Sequence, residues 1–224
     1  MKAFKAAIFD LDGVIVDTAK YHFLAWRRLA GELGFEFTER DNERQKGVSR
    51  MESLEILLKV GGVTDLSQVK KEELAARKNE WYKQYLDEMT PADLLPGAKD
   101  FLKYLRFRGI RIALASASKN ALFILEKLNI TGLFDAIVDG NTISKAKPDP
   151  EVFLKAAEKL RTHPSECFVF EDAEAGVEGA KSAGMRVVGI GDRDILKKAE
   201  IVVNGFPEIE PVALLSHIGE VNCS

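Results

Sequence analysis

The chain has 224 residues, 46% of them apolar and 30% charged, and a formal net charge of −3. That balance marks a globular protein and excludes fibres or wholesale disorder, and without a long Lys/Arg block it leaves no electrostatic footprint for nucleic acid. The two cysteines, Cys167 within an apolar run and Cys223 near the C-terminus, make no disulfide framework, and no segment reaches membrane-spanning length; the expectation is a cytoplasmic monomer with small-molecule partners, neither nucleic acid nor membrane.

The first element is a short apolar run, Ala6–Phe9, too brief for a helix of its own and read as a buried strand. It ends in Asp10-Leu11-Asp12-Gly13. On an extended backbone residues i and i+2 point the same way, so both carboxylates project beyond the strand end. Gly13 permits a sharp turn and lets backbone N–H groups approach a ligand. Two like charges at this spacing need a hard cation or a shared proton. That suits an enzyme with one carboxylate as nucleophile and the other as proton shuttle. Aspartates after strands also form plain turns.

From Asp17 to about Glu88 only helical patterns follow. Residues 17–33 carry Phe23, Trp26, Leu29, Ala30 and Leu33 on one stripe; Thr18, His22 and Trp26 share another at i, i+4, i+8, which by itself reads as packing with a polar edge. A second helix begins at the capping box Ser49-Arg50-Met51-Glu52, and a third covers about 70–88. The segment Thr90–Gly97, rich in breakers, reads as a linker. The remainder alternates: strands at Ile110–Ala115, Ala136–Val138, Phe168–Phe170, Val187–Ile190 and Ile201–Val203, helices near 97–108, 119–129, 149–161 and 174–183. Such alternation predicts an α/β fold, a Rossmann-like parallel-sheet core (1–16 and 89–224) with an inserted all-helical cap domain (17–88).

Ligands of open parallel sheets gather beyond the C-terminal strand ends. After the second strand come Ser116-Ala117-Ser118-Lys119-Asn120, where hydroxyls, an amide and helix N-terminal N–H groups suit a phosphate, though Ser118 could also simply cap the helix. After the third comes Lys147, held extended by Pro148, with Asp149 and Pro150 as N-cap and N1 of the next helix; a loop lysine alone is more often solvated. After the fourth comes a second acidic pair, Glu171-Asp172, which with Asp10 and Asp12 makes an oxygen-rich Mg²⁺ site.

The order Asp10/Asp12, Ser116, Lys147, Glu171/Asp172 resembles the haloacid dehalogenase superfamily over essentially the whole chain. The helical insertion is similar to its C1-type cap. The cap motifs Asp17-Thr18-Ala19-x-Tyr21-His22-Phe23-x-Ala25-Trp26, Lys46-Gly47-Val48-Ser49-Arg50 and Arg77-Lys78-Asn79, with Ala115–Asn120, resemble its sugar-phosphate mutase branch. The resemblance implies interconversion of β-glucose 1-phosphate and glucose 6-phosphate through the 1,6-bisphosphate, with sugar phosphates as partners. Asp10 is then the phosphorylated nucleophile and Asp12 the general acid and base. Lys147 and Ser116 hold the transferring group. Mg²⁺ sits on Asp10, Asp12 (through its backbone carbonyl), Glu171 and Asp172. Substrate contacts are implied for Thr18, His22, Trp26, Lys46, Gly47, Val48, Ser49, Arg50, Ser53, Lys78, Ala117, Ser118, Lys119 and Asn120. Arg50, otherwise an ordinary charged residue at a helix start, becomes a bidentate grip on the distal phosphate, with Lys46 nearby and Gly47 allowing close backbone approach. His163 and His217 are read as structural. The family often has Ser after the acidic pair, where this chain has Ala173, and Asp139-Gly140-Asn141-Thr142 departs from its more usual Asp-Pro turn. A sugar-phosphate phosphatase of the same superfamily, and a phosphosugar-binding regulator that has lost catalysis, are the alternatives.

Overall fold

The computed structural model describes residues 4–45, 48–210 and 214; Lys46, Gly47, His217 and Cys223 lie outside them. Six strands, β1 (Ala6–Phe9), β2 (Arg111–Ala115), β3 (Ala136–Val138), β4 (Cys167–Glu171), β5 (Arg186–Ile190) and β6 (Ile201–Val203), form one sheet in the order β3-β2-β1-β4-β5-β6. Every neighbouring pair is parallel.

The period-2 alternation of the short apolar runs explains how the sheet is buried on both sides. Phe9, Leu114 and Phe170 enter one core, with Phe9 and Phe170 stacked at 4.5 Å between ring centroids. Ile8, Ala113 and Val169 enter a second core on the opposite face. Between β1 and β2 the chain forms α1 (Ala19–Glu32), α2 (Glu39–Glu43), α3 (Arg50–Val60), α4 (Gln68–Leu86) and α5 (Ala98–Phe107). α5 and then α6 (Ala121–Lys127) cover the Phe9 face, while α7 (Glu151–Lys159) and α8 (Glu174–Ser182) cover the Ile8 face. This is the expected three-layer α/β architecture.

Local differences from the sequence reading have identifiable causes. α2 is an additional helix: Thr38 Oγ1 accepts from the Asp41 N–H and Asp41 Oδ2 from the Thr38 N–H, a capping box that compensates for only five residues of helix. Pro150, expected at N1, is the N-cap of α7, and Asp149 Oδ1 accepts from the Glu151 N–H one turn position further out. Ser118 does not cap α6 directly; Asn120 is its N-cap, and Ser118 Oγ accepts from the Asn120 N–H. The Ser49 box on α3 forms as read, with the Ser49 N–H donating to Glu52 Oε2 at 2.8 Å.

Helices α1 to α4 precede α5, with no strand among the described residues between β1 and β2. Their way out and way back run side by side. Val16 bridges Leu94, and the Leu95 N–H donates to Ile15 O at 3.0 Å. The return is anchored by Asp93, whose carboxylate accepts from Tyr21 Oη at 3.0 Å and from the Thr90 N–H at 2.8 Å. Among the described residues, no helix is long and apolar enough to cross a membrane.

Candidate active site

In this strand order the chain direction of construction reverses between β1 and β4, and a crevice opens beyond their C-terminal ends. Register decides which residues meet there. Phe9 pairs with Phe170 and Leu114, so Asp10 emerges beside Glu171 and close to the β2 end that carries Ser116. The Asp10 N–H completes the ladder by donating to Phe170 O at 3.0 Å.

Lys147 enters from the loop after β3 through a cis Lys147–Pro148 peptide. It is buried, and its Nζ pairs with both Asp10 Oδ1 and Glu171 Oε1. Burial works against its charge, but the two carboxylates outweigh burial and hold the ammonium above its ordinary range. Burial pushes the Asp10 carboxyl up against the pull of Lys147, with Glu171 and Asp12 adding to the rise. Glu171 Oε2 accepts the N–H groups of Asp172 and Ala173 at 2.9 and 3.0 Å. Ala173 therefore contributes through its backbone, independent of its missing hydroxyl.

Oxygens of Asp10, Glu171 and Asp172 lie within 4.8 Å of one another, a carboxylate set of the kind that holds a hard divalent cation. With Asp12 nearby, Lys147 alone does not balance these acids, so the donor set fits a divalent metal ion. The Asp12 side chain is not part of that group: its Oδ1 accepts from Thr18 Oγ1. Burial raises the Asp12 carboxyl while Thr18 opposes the shift. Gly13 does turn the chain, at φ +80°, but its N–H is spent on Val16 O at 2.8 Å and does not face a ligand. What Gly13 provides is clearance: a Cβ there would stand 2.0 Å from Asp172 Oδ2.

Two further glycines shape the site in the same way. A Cβ on Gly140 would meet Ala117 O at 2.2 Å, so the departure from an Asp-Pro turn lets this loop close against the Ser116 loop. There the Gly140 N–H donates to Ser118 O, and Ser116 Oγ accepts the Ser118 N–H at 3.0 Å. A Cβ on Gly176, in α8, would stand 1.9 Å from Glu171 Oε1. Gly176→Ala is expected to destabilise the fold by about 1–3 kcal/mol through overpacking and to displace the carboxylate that holds Lys147. Chemical denaturation together with catalytic turnover checks this; wild-type values for both would show that Glu171 has room to move.

A cavity of about 560 Å³ opens over these groups and reaches into the helical insertion. Its lining includes every described residue expected at the site: Asp10, Asp12, Thr18, His22, Trp26, Val48, Ser49, Arg50, Ser53, Lys78, Ser116, Ala117, Ser118, Lys119, Asn120, Lys147, Glu171 and Asp172. Lys46 and Gly47 lie outside the described residues. The α1 stripe divides its tasks. Thr18 serves Asp12, whereas His22 meets Lys78, with Nδ1 and Nζ 2.9 Å apart. Lys78 is buried between Trp26 and Tyr82, at 4.4 and 4.6 Å from their ring centroids. Burial, then Arg50, lowers Lys78 well below the usual lysine range; burial, then Lys78, lowers His22. Arg50 is N1 of α3 and makes no ion pair among the described residues. Away from the cavity, His163 caps a short turn through the Ser165 N–H, a structural role as expected.

Among the lining residues that sequence reading missed are Asn42, Gln45, Asn79 and Lys145. Asn79 Oδ1 accepts from Asn120 Nδ2 at 3.0 Å, a buried bond between the insertion and the core; its signal was present in Arg77-Lys78-Asn79. Lys145 pairs with Asp149 at 3.2 Å on the rim. Asn42 and Gln45 fall outside any motif.

Residues 4–184 match the family of haloacid dehalogenase-like hydrolases. The chain is 50% identical to the β-phosphoglucomutase of Bacillus subtilis over 200 residues, 89% of this chain and 88% of that protein. It is 33% identical to a phosphorylated carbohydrates phosphatase of Thermotoga maritima, over 97% of this chain and 99% of that one. The crystal structure of β-phosphoglucomutase from Clostridium difficile superposes with a TM-score of 0.92 at 41% identity, covering 97% of this chain and 98% of that one. Fold, crevice and sequence agree: the chain belongs to the haloacid dehalogenase-like hydrolase family.

Proposed function

We propose that this protein is a Mg²⁺-dependent β-phosphoglucomutase that interconverts β-glucose 1-phosphate and glucose 6-phosphate through β-glucose 1,6-bisphosphate. The observation that carries the reading is Arg50, a guanidinium without an ion pair among the described residues, on the same cavity as the Asp10–Lys147–Glu171 centre. A mutase needs two phosphate sites, because one end of the bisphosphate reacts while the other is anchored; a phosphatase needs one. The 50% identity to a mutase supports the same choice, against 33% to a phosphatase.

In this reading an Asp10 carboxylate oxygen attacks phosphorus, the P–O bond to the sugar breaks, and Asp12 delivers its proton to the leaving oxygen. In the return half, Asp12 takes the proton of the incoming hydroxyl, which attacks the aspartyl-phosphate and frees Asp10. Burial raises the Asp12 carboxyl, which favours its protonated form, and Thr18 orients it. Lys147 neutralises charge on the transferring group, and the Ser116–Asn120 loop surrounds that group. Mg²⁺, held by Asp10, Glu171, Asp172 and the Asp12 carbonyl, would supply further charge neutralisation. Residues 17–88 act as a cap: Arg50 with Lys46 grips the distal phosphate, Ser53 and Lys78 face the sugar, and Trp26 walls it. Closure excludes water, so that a sugar hydroxyl is the acceptor. The antiparallel segments at Val16 and Leu94–Leu95 are the place for the hinge.

The test supplies β-glucose 1-phosphate with trace bisphosphate and follows both products. Glucose 6-phosphate should form nearly quantitatively. Stoichiometric inorganic phosphate with little glucose 6-phosphate overturns the reading in favour of the phosphatase, and failure to form phosphoenzyme with any donor favours the binding protein.

A further inference from the structure

An asparagine at a helix N-cap ordinarily turns its side-chain oxygen to the N–H groups of the first turn. Asn120 is the N-cap of α6 and makes no such bond. Its Nδ2 instead donates from the core to the insertion, to Asn79 Oδ1 on α4 at 3.0 Å. Both side chains are buried, 9% and 8% exposed, and both residues line the cavity that holds Asp10. Asn79 follows Lys78, and consecutive helical residues point about 100° apart. α4 therefore meets two partners at one level: Lys78 turns to His22 on α1, and Asn79 to the core. A second tie joins the same two helices. Lys127, the last residue of α6, pairs with Asp87, the C-cap of α4, at 2.9 Å. The two ties are separated by about 10–12 Å of helix on each side, so α4 and α6 run side by side in the same direction.

α6 begins where the loop Ser116–Asn120 ends, so the amide pair fastens that loop to the helical wall of the cavity. On the mutase reading one phosphoryl group reacts at Asp10 in the core while the other is held by Arg50 in the insertion. A bisphosphate of fixed length then needs the two parts at one spacing, and a misplacement of about 1 Å costs on the order of 10²-fold in rate. The buried amide pair suits that task better than the more exposed Lys127–Asp87 pair. Its donor and acceptor fix direction as well as distance, whereas a surface ion pair is screened and weakly directional. We propose that Asn79 is a positioning residue for phosphoryl transfer: by holding Asn120 it sets the Ser116–Asn120 loop against the insertion, and it acts through Asn120 rather than on the substrate. The proposal rests on the mutase reading above.

The experiment measures kcat and KM for β-glucose 1-phosphate, at fixed β-glucose 1,6-bisphosphate and Mg²⁺, in wild type, Asn79→Ala, Asn120→Ala and the double variant. Asn79→Leu, which keeps the side-chain volume without the amide, serves as a second single variant, and thermal denaturation verifies folding of each protein. Phosphorylation of Asp10 by acetyl phosphate, which on the proposed mechanism does not span core and insertion, is the reference reaction. Asn79→Ala is expected to lower mutase kcat/KM by roughly 10-fold or more. The loss should fall mostly on kcat, because Arg50 still binds the distal phosphate, and the acetyl phosphate reaction should slow far less. In the Asn120→Ala background the same substitution should cost less than about twofold, since the two residues act as one unit. Wild-type turnover in Asn79→Ala overturns the proposal, as do losses that simply multiply in the double variant. A loss carried by KM alone also overturns it, because Asn79 is then a direct substrate contact. Equal slowing of the sugar and acetyl phosphate reactions overturns it as well, because the tie is then only structural. If wild type releases phosphate and forms no glucose 6-phosphate, the mutase reading falls separately, and the same comparison on phosphate release still decides whether Asn79 acts through Asn120.

Discussion

Asp10→Asn is expected to lower mutase turnover by at least about 10⁴-fold, the scale of removing a nucleophile, and to abolish labelling by acetyl phosphate altogether. The argument combines chemistry with position. An amide is isosteric with the carboxylate but cannot form the aspartyl-phosphate. The fold should survive, because the Asp10 backbone N–H bond to Phe170 O does not depend on the side chain and Lys147 keeps Glu171 as its counter-ion. Burial disfavours the Asp10 charge, so neutralising it removes a cost that offsets the lost pair with Lys147. Circular dichroism and thermal denaturation should therefore give near wild-type results while intact-mass spectrometry finds no phosphoenzyme. A phosphorylated Asp10→Asn protein would move the nucleophile to another residue, and Asp12 would be the first to examine.

How legible this was from sequence differs between core and insertion. The core strands are short and bounded by breakers, and their period-2 pattern separates Ile8 from Phe9 onto opposite faces without further information. The order of chemical residues along those strand ends then assembles the carboxylate centre, since parallel register aligns Asp10 with Glu171. What sequence could not supply is clearance. Nothing local distinguishes Gly176 in a helix from a weak helix former, yet its missing Cβ makes room for Glu171. The helical insertion was read as a unit, but α2 was missed because five residues carry too little periodicity, although Thr38-x-x-Asp41 signals its cap. Separating the tasks of Thr18 and His22 also needed coordinates. Equal spacing puts them on one stripe, but only tertiary packing sends Thr18 to Asp12 and His22 to Lys78.

Arg50→Ala is expected to reduce mutase kcat/KM by roughly 10²-fold or more, the cost of losing a charge-assisted bidentate grip together with substrate alignment, while slowing Asp10 phosphorylation by acetyl phosphate far less. The contrast follows from where the charge sits. Arg50 belongs to α3 in the insertion, whereas on the proposed mechanism acetyl phosphate needs only Asp10, Lys147 and the Ser116 loop at the sheet edge. The residue is also poorly placed for stability. A cation at N1 opposes the helix dipole, and burial lowers its guanidinium from the ordinary range. Removing it should thus leave the thermal midpoint unchanged or slightly higher, so a loss of turnover cannot be assigned to unfolding. Arg50→Lys should recover only part of the activity, because a point charge cannot reproduce the planar fork. The ratio of inorganic phosphate to glucose 6-phosphate should also rise in Arg50→Ala, as a sugar without its distal anchor yields the aspartyl-phosphate to water. Equal losses with sugar and with acetyl phosphate would mean that Arg50 acts on the reacting phosphoryl group itself, and the second phosphate site would then have to be sought elsewhere in the insertion.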